Sequence, residues 1–134
     1  MKTIEVVAGV ISNDQGLILA VQRGEHVKPY ISKKWEFPGG KIEEGESREE
    51  ALKRELAEEL SVDVHVESFI TTVHHIYPDF QIIMHAYHCL VRSGTLELTE
   101  HVASRWLQVG DLATLDWAAA DVPIVEVLQN QSDL

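Results

Sequence analysis

One segment of this chain, beginning at Ser47, constrains the fold more than any other. Ser47 and Glu50 have the Ser-x-x-Glu spacing of a capping box, and good helix formers follow as far as Leu60. The pattern predicts a helix over Arg48–Leu60 whose start is set by its own first turn. The rest of the fold must cover one side of this helix.

The same helix carries three carboxylates on one side. With about 100° of rotation per residue, Glu55, Glu58 and Glu59 share one sector. The adjacent sector is apolar and consists of Leu52, Leu56 and Leu60. Like charges four residues apart destabilise a helix by roughly 0.2–0.5 kcal/mol, and a hard divalent cation removes that repulsion. The carboxylates therefore indicate a site where Mg²⁺ joins the protein to a polyphosphate; the alternative is a solvated acidic face.

Composition limits the classes of partner. The 134 residues are 45% hydrophobic, which fits one domain over residues 1–134 with a single core. A formal charge of −11 argues against polymeric nucleic acid, because binding its phosphates relies on Lys and Arg. A small phosphorylated substrate is compatible when a divalent cation bridges it to carboxylates. With no apolar run long enough for a membrane span and no signal-like opening segment, we expect a cytoplasmic protein without a membrane partner.

Apolar, β-branched stretches predict the strands. We expect strands at residues 4–11 and 17–22, and two more at 62–73 and 80–91. Apolar residues on both faces of the last stretch indicate a central strand. A short strand is expected at 106–109.

Other stretches predict loops and a second helix. A polar loop is expected at residues 23–34, and the Pro/Gly cluster that ends the 35–40 segment should stop regular structure. Asp121 as N-cap and the early Pro123 predict a final helix through about residue 128. Strands before, between and after two helices indicate an α/β fold, a mixed sheet covered by helices on both sides.

A set of positions between residues 40 and 62 has a fixed spacing. They are Gly40, Glu46, Arg54, Glu55, Leu56, Glu58, Glu59, Ser61 and Val62. This spacing resembles the Nudix box, which ends in Arg-Glu-aliphatic-x-Glu-Glu-x-Gly-aliphatic. Ser61 is the only departure, because the family has glycine where the helix closes in a left-handed conformation. The difference concerns the turn after the helix rather than the chemistry.

The resemblance covers most of the chain. Residues 35–41, 4–10 and 120–123 look like the MutT and CTP pyrophosphohydrolase branch of the Nudix family. That branch implies the Nudix α/β/α sandwich, with a mixed β-sheet between helices. It also implies a Mg²⁺-dependent enzyme, with Mn²⁺ as a substitute, that cleaves a nucleoside triphosphate to the monophosphate and pyrophosphate. We expect a monomer or homodimer.

The resemblance also implies a metal-ligand set. Glu55, Glu58 and Glu59 would bind Mg²⁺ together with the carbonyl of Gly39. Family members attack the triphosphate with metal-activated water, and metal coordination lowers the pKa of such a water.

Further roles follow by the same resemblance. Arg54 and Glu46 would orient the helix carboxylates, and Lys41 would lie near the phosphates. Glu100, six residues before Trp106, would be another ligand or the general base; the alternative is an exposed loop glutamate.

Three residues occupy the family's base-pocket positions: Arg23, Phe37 and Asp121. Phe37 would stack on a base or serve as an ordinary core aromatic. At the position of Asp121, enzymes that clear oxidised guanine nucleotides have asparagine and the CTP pyrophosphohydrolases have aspartate. A carboxylate can accept from the exocyclic amino group of cytosine, which favours cytosine nucleotides. Asp121 could also accept from guanine N–H donors, or be a plain N-cap.

Three alternatives to a cytosine nucleotide pyrophosphohydrolase remain open. The first is an 8-oxo-dGTP diphosphatase that cleanses the nucleotide pool. The second is a non-catalytic Nudix module that binds a nucleotide without hydrolysing it, although such modules would be expected to lose acidic residues of the box. The third is a hydrolase of nucleoside diphosphate sugars or dinucleotides.

Overall fold

Strand β1 (Lys2–Ser12) lies inside a seven-stranded sheet and sets the position of its neighbours. In the computed structural model, which describes residues 1–132, it pairs in parallel with β6 (Phe80–Ser93) from one end to the other. On its other side it pairs antiparallel with β2 (Ile18–Gln22). The sheet is therefore mixed, as predicted. Residues 133 and 134, the last of the predicted 1–134 domain, lie outside the described residues.

The remaining strands are all antiparallel to their partners. They are β3 (Trp35–Glu36), β4 (Gly39–Lys41), β5 (Asp63–Ile76) and β7 (Ala103–Leu107). β5 pairs with β6, β4 with β1, and both β3 and β7 pair with β2. β6 thus has a partner on each side, which confirms the central strand predicted at 80–91.

Helix α1 (Arg48–Leu60) has the predicted bounds and the predicted cap. The Ser47 hydroxyl accepts from the Glu50 amide at 3.1 Å, and the Glu50 carboxylate accepts from the Ser47 amide at 2.9 Å. The helix ends at Ser61, which has the left-handed angles φ 59° and ψ 32°. The turn therefore takes the conformation that favours glycine, although serine occupies it.

Alternate side chains of β1 enter two separate cores. Val7 and Ile11 pack with the leucines of α1. Val6, Ala8 and Val10 pack on the other face with helix α2 (Val122–Ser132). Because side chains alternate along a strand, the two helices cover opposite faces of the sheet, and the α/β/α sandwich is confirmed. Neither helix in residues 1–132 is long and apolar enough to span a membrane.

Three sequence expectations were wrong in detail. The 35–40 segment does not exclude regular structure, because β4 joins the sheet beside β1. The short strand is Ala103–Leu107 rather than residues 106–109, because it runs the full length of β2, and a 3₁₀ helix begins at Val109. The final helix, α2, runs to Ser132 rather than to about residue 128, and Asp121, which directly precedes it, closes a short 3₁₀ turn, Ala119–Asp121.

Candidate active site

One cavity of about 800 Å³ lies where β1, the loop after β2, the β3–β4 segment, α1 and the 3₁₀ turn before α2 meet. It brings together most of the residues singled out from sequence: Arg23, Phe37, Gly39, Lys41, Glu55, Glu59, Glu100 and Asp121. Glu46, Arg54 and Glu58 lie beside the cavity rather than in its lining. The carboxylates of α1 and that of Asp121 therefore line the same cavity.

Arg54 connects the carboxylates at the edge of the cavity. Its guanidinium donates to Glu55 at 3.0 Å, and its nearest contact with Glu58 is 3.4 Å. It also donates to both oxygens of Glu46 and to the carbonyl of Lys41. Glu58 remains largely exposed, with 58% of its side chain accessible. Arg54 therefore joins α1 to the segment that precedes it.

The two glycines of β4 are required by close packing. A Cβ on Gly39 would overlap the carbonyl oxygen of Val7, and a Cβ on Gly40 would overlap the carboxylate of Glu55. Glycine therefore lets the backbone of β4 lie between β1 and α1. This contact places the Gly39–Gly40 backbone directly beside the helix carboxylates.

Among the carboxylates of α1, Glu59 has the most strongly shifted pKa. Its side chain is buried, and its Oε2 has no hydrogen-bond partner within residues 1–132. Burial raises the pKa of Glu59 to about 9, with smaller contributions from the charges of Glu36, Glu100 and Glu55. Burial also raises the pKa of Glu55, while Arg54 opposes that shift. Losing a proton at Glu59 is unfavourable unless a positive charge compensates it.

These residues would supply only part of the ligand set of a divalent cation. An unpaired buried carboxylate oxygen among other carboxylates is a donor set for a hard cation. No three Asp, Glu, His or Cys side chains of the described chain converge as a ready-made metal site. Mg²⁺ keeps several waters and is commonly held by one or two carboxylates plus substrate phosphates, so the arrangement fits that mode.

Asp121 and Phe37, which also line the cavity, contact each other. The Asp121 carboxylate accepts from the backbone N–H of Phe37 at 3.0 Å. Burial, and then the charge of Glu36, raises the pKa of Asp121 well above its usual range. Phe37 is 3% exposed, and its ring stacks on Trp117 with 4.6 Å between ring centroids. Phe37 is therefore a core aromatic that also borders the cavity.

A comparison with known protein families agrees with this geometry. The NUDIX domain matches residues 2–128. This chain belongs to the Nudix family. Nudix hydrolases generally use divalent metals, which accords with the carboxylate cluster. The chain is accordingly a hydrolase of nucleotide phosphoanhydride bonds.

Individual relatives of this Nudix hydrolase divide between two names. The CTP pyrophosphohydrolase of Escherichia coli (strain K12) is 36% identical over 94% of this chain and 91% of its own length. An 8-oxo-dGTP diphosphatase of Proteus vulgaris is 39% identical over 85% of this chain and 96% of its own length. The solution structure of the E. coli ORF135 protein matches with a TM-score of 0.83 and 36% identity, covering 98% of this chain and 92% of that one.

Two residues of this Nudix site were missed from sequence. Glu36 lines the cavity from β3, with an oxygen 3.6 Å from the Arg23 guanidinium. His101 follows Glu100 in the loop before β7 and lies 2.9 Å from Glu36. Glu36 stands next to Phe37 within the segment that carries the resemblance, so it could have been found there. The position of His101 depends on packing that its own sequence neighbourhood does not reveal.

Proposed function

We propose that this Nudix hydrolase is a Mg²⁺-dependent nucleoside triphosphate pyrophosphohydrolase that releases the monophosphate and pyrophosphate and prefers cytosine nucleotides. The observation that carries the proposal is the content of a single cavity. It is lined by Glu55 and Glu59 of α1 and by the buried Asp121 of the turn before α2. We assign the triphosphate tail, with a cation, to the α1 carboxylates and the base to the surroundings of Asp121, and call these the phosphate end and the base end of the cavity.

The protein's own groups would divide the work at the phosphate end. Glu55, Glu58 and Glu59, with the Gly39 carbonyl, would hold the cation, and Arg54 and Glu46 would keep the carboxylates oriented. The cation, when bound, supplies positive charge at the phosphates and lowers the pKa of a water. Mn²⁺ should substitute, because it also accepts oxygen ligands.

Two further groups border the phosphate end. Lys41 is exposed at the cavity, where its ammonium would attract the phosphates. Glu100 lines the same cavity, and its charge contributes to the raised pKa of Glu59, so its carboxylate would share the cation or remove a proton from water. We assign it one of these two roles.

At the base end, Asp121 supports the cytosine preference. An ionised Asp121 accepts from the exocyclic amino group of cytosine, and Arg23 and Phe37 would complete the pocket. The first relative described above, which is named for CTP, agrees with this assignment.

An 8-oxo-dGTP diphosphatase is a second candidate, and a specific observation favours it. The raised pKa of Asp121 favours its protonated form, which can donate a hydrogen bond to an acceptor on an oxidised purine. The Proteus vulgaris relative carries that activity in its name.

Pyrophosphate release from dCTP, CTP, 5-methyl-dCTP, dGTP and 8-oxo-dGTP in the presence of Mg²⁺ tests the proposal. We expect turnover of triphosphates with the highest kcat/KM among the cytosine nucleotides. Nucleotide binding without product would favour a non-catalytic module instead. Glu58→Gln should abolish turnover without unfolding the protein. Glu49 is an exposed first-turn glutamate of the same helix, so Glu49→Gln is the control and should retain turnover.

A further inference from the structure

The His101 ring lies between two carboxylates that line the cavity from different elements, Glu36 from β3 and Glu59 from α1. Its Nε2 is 2.9 Å from an oxygen of Glu36, whose other oxygen lies 3.6 Å from the Arg23 guanidinium. Its Nδ1 is 4.0 Å from Oε2 of Glu59, on the carboxylate helix. Only 4% of the His101 side chain is exposed, so bulk water has little access to the space between the ring and either carboxylate. One side chain therefore joins a carboxylate of β3 to a carboxylate of α1.

The backbone around His101 is fixed on both sides. The Thr99 amide donates to the carbonyl of Glu59 at 3.0 Å, and its hydroxyl donates to that of Glu58 at 2.8 Å. On the other side, the Val102 amide donates to the carbonyl of Gln22 at 2.9 Å. The loop is thus attached to the end of α1 and to β2, so its backbone rather than a flexible side chain sets the ring position.

The two nitrogens of the ring make different contacts. A carboxylate oxygen accepts, so the Nε2–H of His101 donates to Glu36. Nδ1 and the facing Glu59 Oε2 are both buried and lack a hydrogen-bond partner in the part of the chain that the structure describes. Buried polar atoms are seldom left unpaired, so this arrangement indicates a function that outweighs its cost.

We propose that His101 is a positioning residue that holds Glu36 at the base end and confines Glu59 at the metal end, so that one ring sets both. The inference rests on the proposed function, which assigns Glu59 to the cation and Arg23, the ion-pair partner of Glu36, to the base end. The hydrogen bond fixes the Glu36 carboxylate. The Nδ1 edge of the ring, 4.0 Å from Oε2 of Glu59, keeps that carboxylate in the cavity.

Two binding measurements without turnover test this role. The first is the affinity for CMP, and in parallel dGMP, in EDTA, which reports the base end alone. The second is the affinity for Mn²⁺ without nucleotide, which reports the carboxylate end alone. We expect His101→Ala to weaken nucleotide binding about tenfold, since a hydrogen bond to a charged group is lost. Mn²⁺ binding should weaken about threefold or more, because outer groups that orient metal ligands affect affinity.

A matched pair of amide variants separates positioning from bulk packing. The side-chain nitrogen of His101→Gln can reach Glu36 as Nε2 does, whereas that of His101→Asn stops near the position of Nδ1. Nucleotide affinity in the Gln variant should return to within about twofold of wild type, and the Asn variant should stay weak. His65→Ala, an exposed histidine outside the cavity lining, should change neither affinity.

These outcomes test the role of His101 independently of the proposed enzymatic activity. Equal nucleotide affinities in the Gln and Asn variants would overturn it, even if His101→Ala fails to fold. A change in only one of the two affinities of a folded His101→Ala would also overturn it, because the ring would then serve one end alone. A wild-type protein that turns over no triphosphate would defeat the proposed function instead, and both binding assays would remain readable.

Discussion

Arg54 holds both oxygens of Glu46, with its Nε 2.7 Å from one oxygen and its Nη2 2.9 Å from the other. This paired contact holds the pKa of Glu46 down to about 2. The guanidinium also donates to Glu55 and to the carbonyl of Lys41. Glu46 and Arg54 are eight positions apart, and the planar guanidinium, whose five donors suit several acceptors at once, thus joins α1 to the segment that precedes it.

Arg54→Lys should reduce activity by about 10–100-fold while leaving the protein folded, the range typical of groups that orient metal ligands. Lysine keeps the charge but cannot donate to Glu46 through two parallel bonds while also reaching Glu55. The measurement is kcat/KM with saturating Mg²⁺. Arg48→Lys, at the start of the same helix, is the control and should have wild-type activity. A fully active Arg54→Lys would show that charge alone is sufficient.

The stability of the metal-free protein should fall with rising pH because of Glu59. Its pKa rises from an ordinary 4.5 to about 9 on folding. Between these values the folded state keeps a proton that the unfolded state has released, so increasing pH favours unfolding. Below pH 4.5 both states are protonated, and the group has no such effect.

Thermal melting in EDTA at pH 5, 7 and 9 checks this expectation. Glu59→Gln has no proton to lose, so its Tm should exceed that of wild type increasingly towards pH 9. Mg²⁺ should raise the Tm of wild type more than that of the variant, because a bound cation stabilises the folded state. Parallel pH profiles for the two proteins would contradict the buried, proton-retaining state of Glu59.

Ser61→Gly should stabilise the protein by about 0.5–1 kcal/mol, because Ser61 closes α1 in a left-handed conformation that costs residues with a Cβ. Urea unfolding midpoints provide the measurement. Ser61→Ala retains the Cβ and should show no gain. Equal stabilities for the glycine and alanine variants would mean that the turn is not strained. Activity should remain at the wild-type level, since Ser61 does not line the cavity.

Features that depend on local sequence were predicted well. The capping box set the start of α1, and the helical period placed Glu55 and Glu59 beside the apolar side that packs on the sheet. Both depend on residues within a few positions of each other, where backbone geometry alone decides which side chains share a face. Glu58 was placed in the same sector, and it is the most exposed of the three.

Features that depend on distant contacts were predicted less well. β4 forms a strand only because it pairs with β1, since its three residues have no strand pattern of their own. The sequence predicts Asp121 as an N-cap, yet its carboxylate accepts from the backbone N–H of Phe37, 84 positions away. His101 likewise contacts Glu36 across 65 positions. Such contacts are set by the arrangement of the sheet, which no short window of sequence contains.

Asp121→Asn should decide which base the pocket prefers. The amide keeps an oxygen that can accept from the Phe37 N–H, so folding should be retained. The side-chain NH₂ group replaces the second carboxylate oxygen and donates instead of accepting. It therefore cannot accept from the amino group of cytosine, but it still imitates a protonated carboxyl facing an oxidised purine.

If ionised Asp121 binds cytosine, the ratio of kcat/KM for dCTP to that for 8-oxo-dGTP should fall at least about tenfold, since a donor then faces a donor. Asp111→Asn, an exposed aspartate in the first 3₁₀ helix, serves as the control and should leave the ratio unchanged. An unchanged ratio in Asp121→Asn would contradict recognition of cytosine by an ionised Asp121, because the amide then does what a protonated carboxyl would do: it accepts from the Phe37 N–H and donates towards the base. A fall in the ratio together with a stable fold would assign the contact with the base to the second oxygen, because the first remains bonded to the chain.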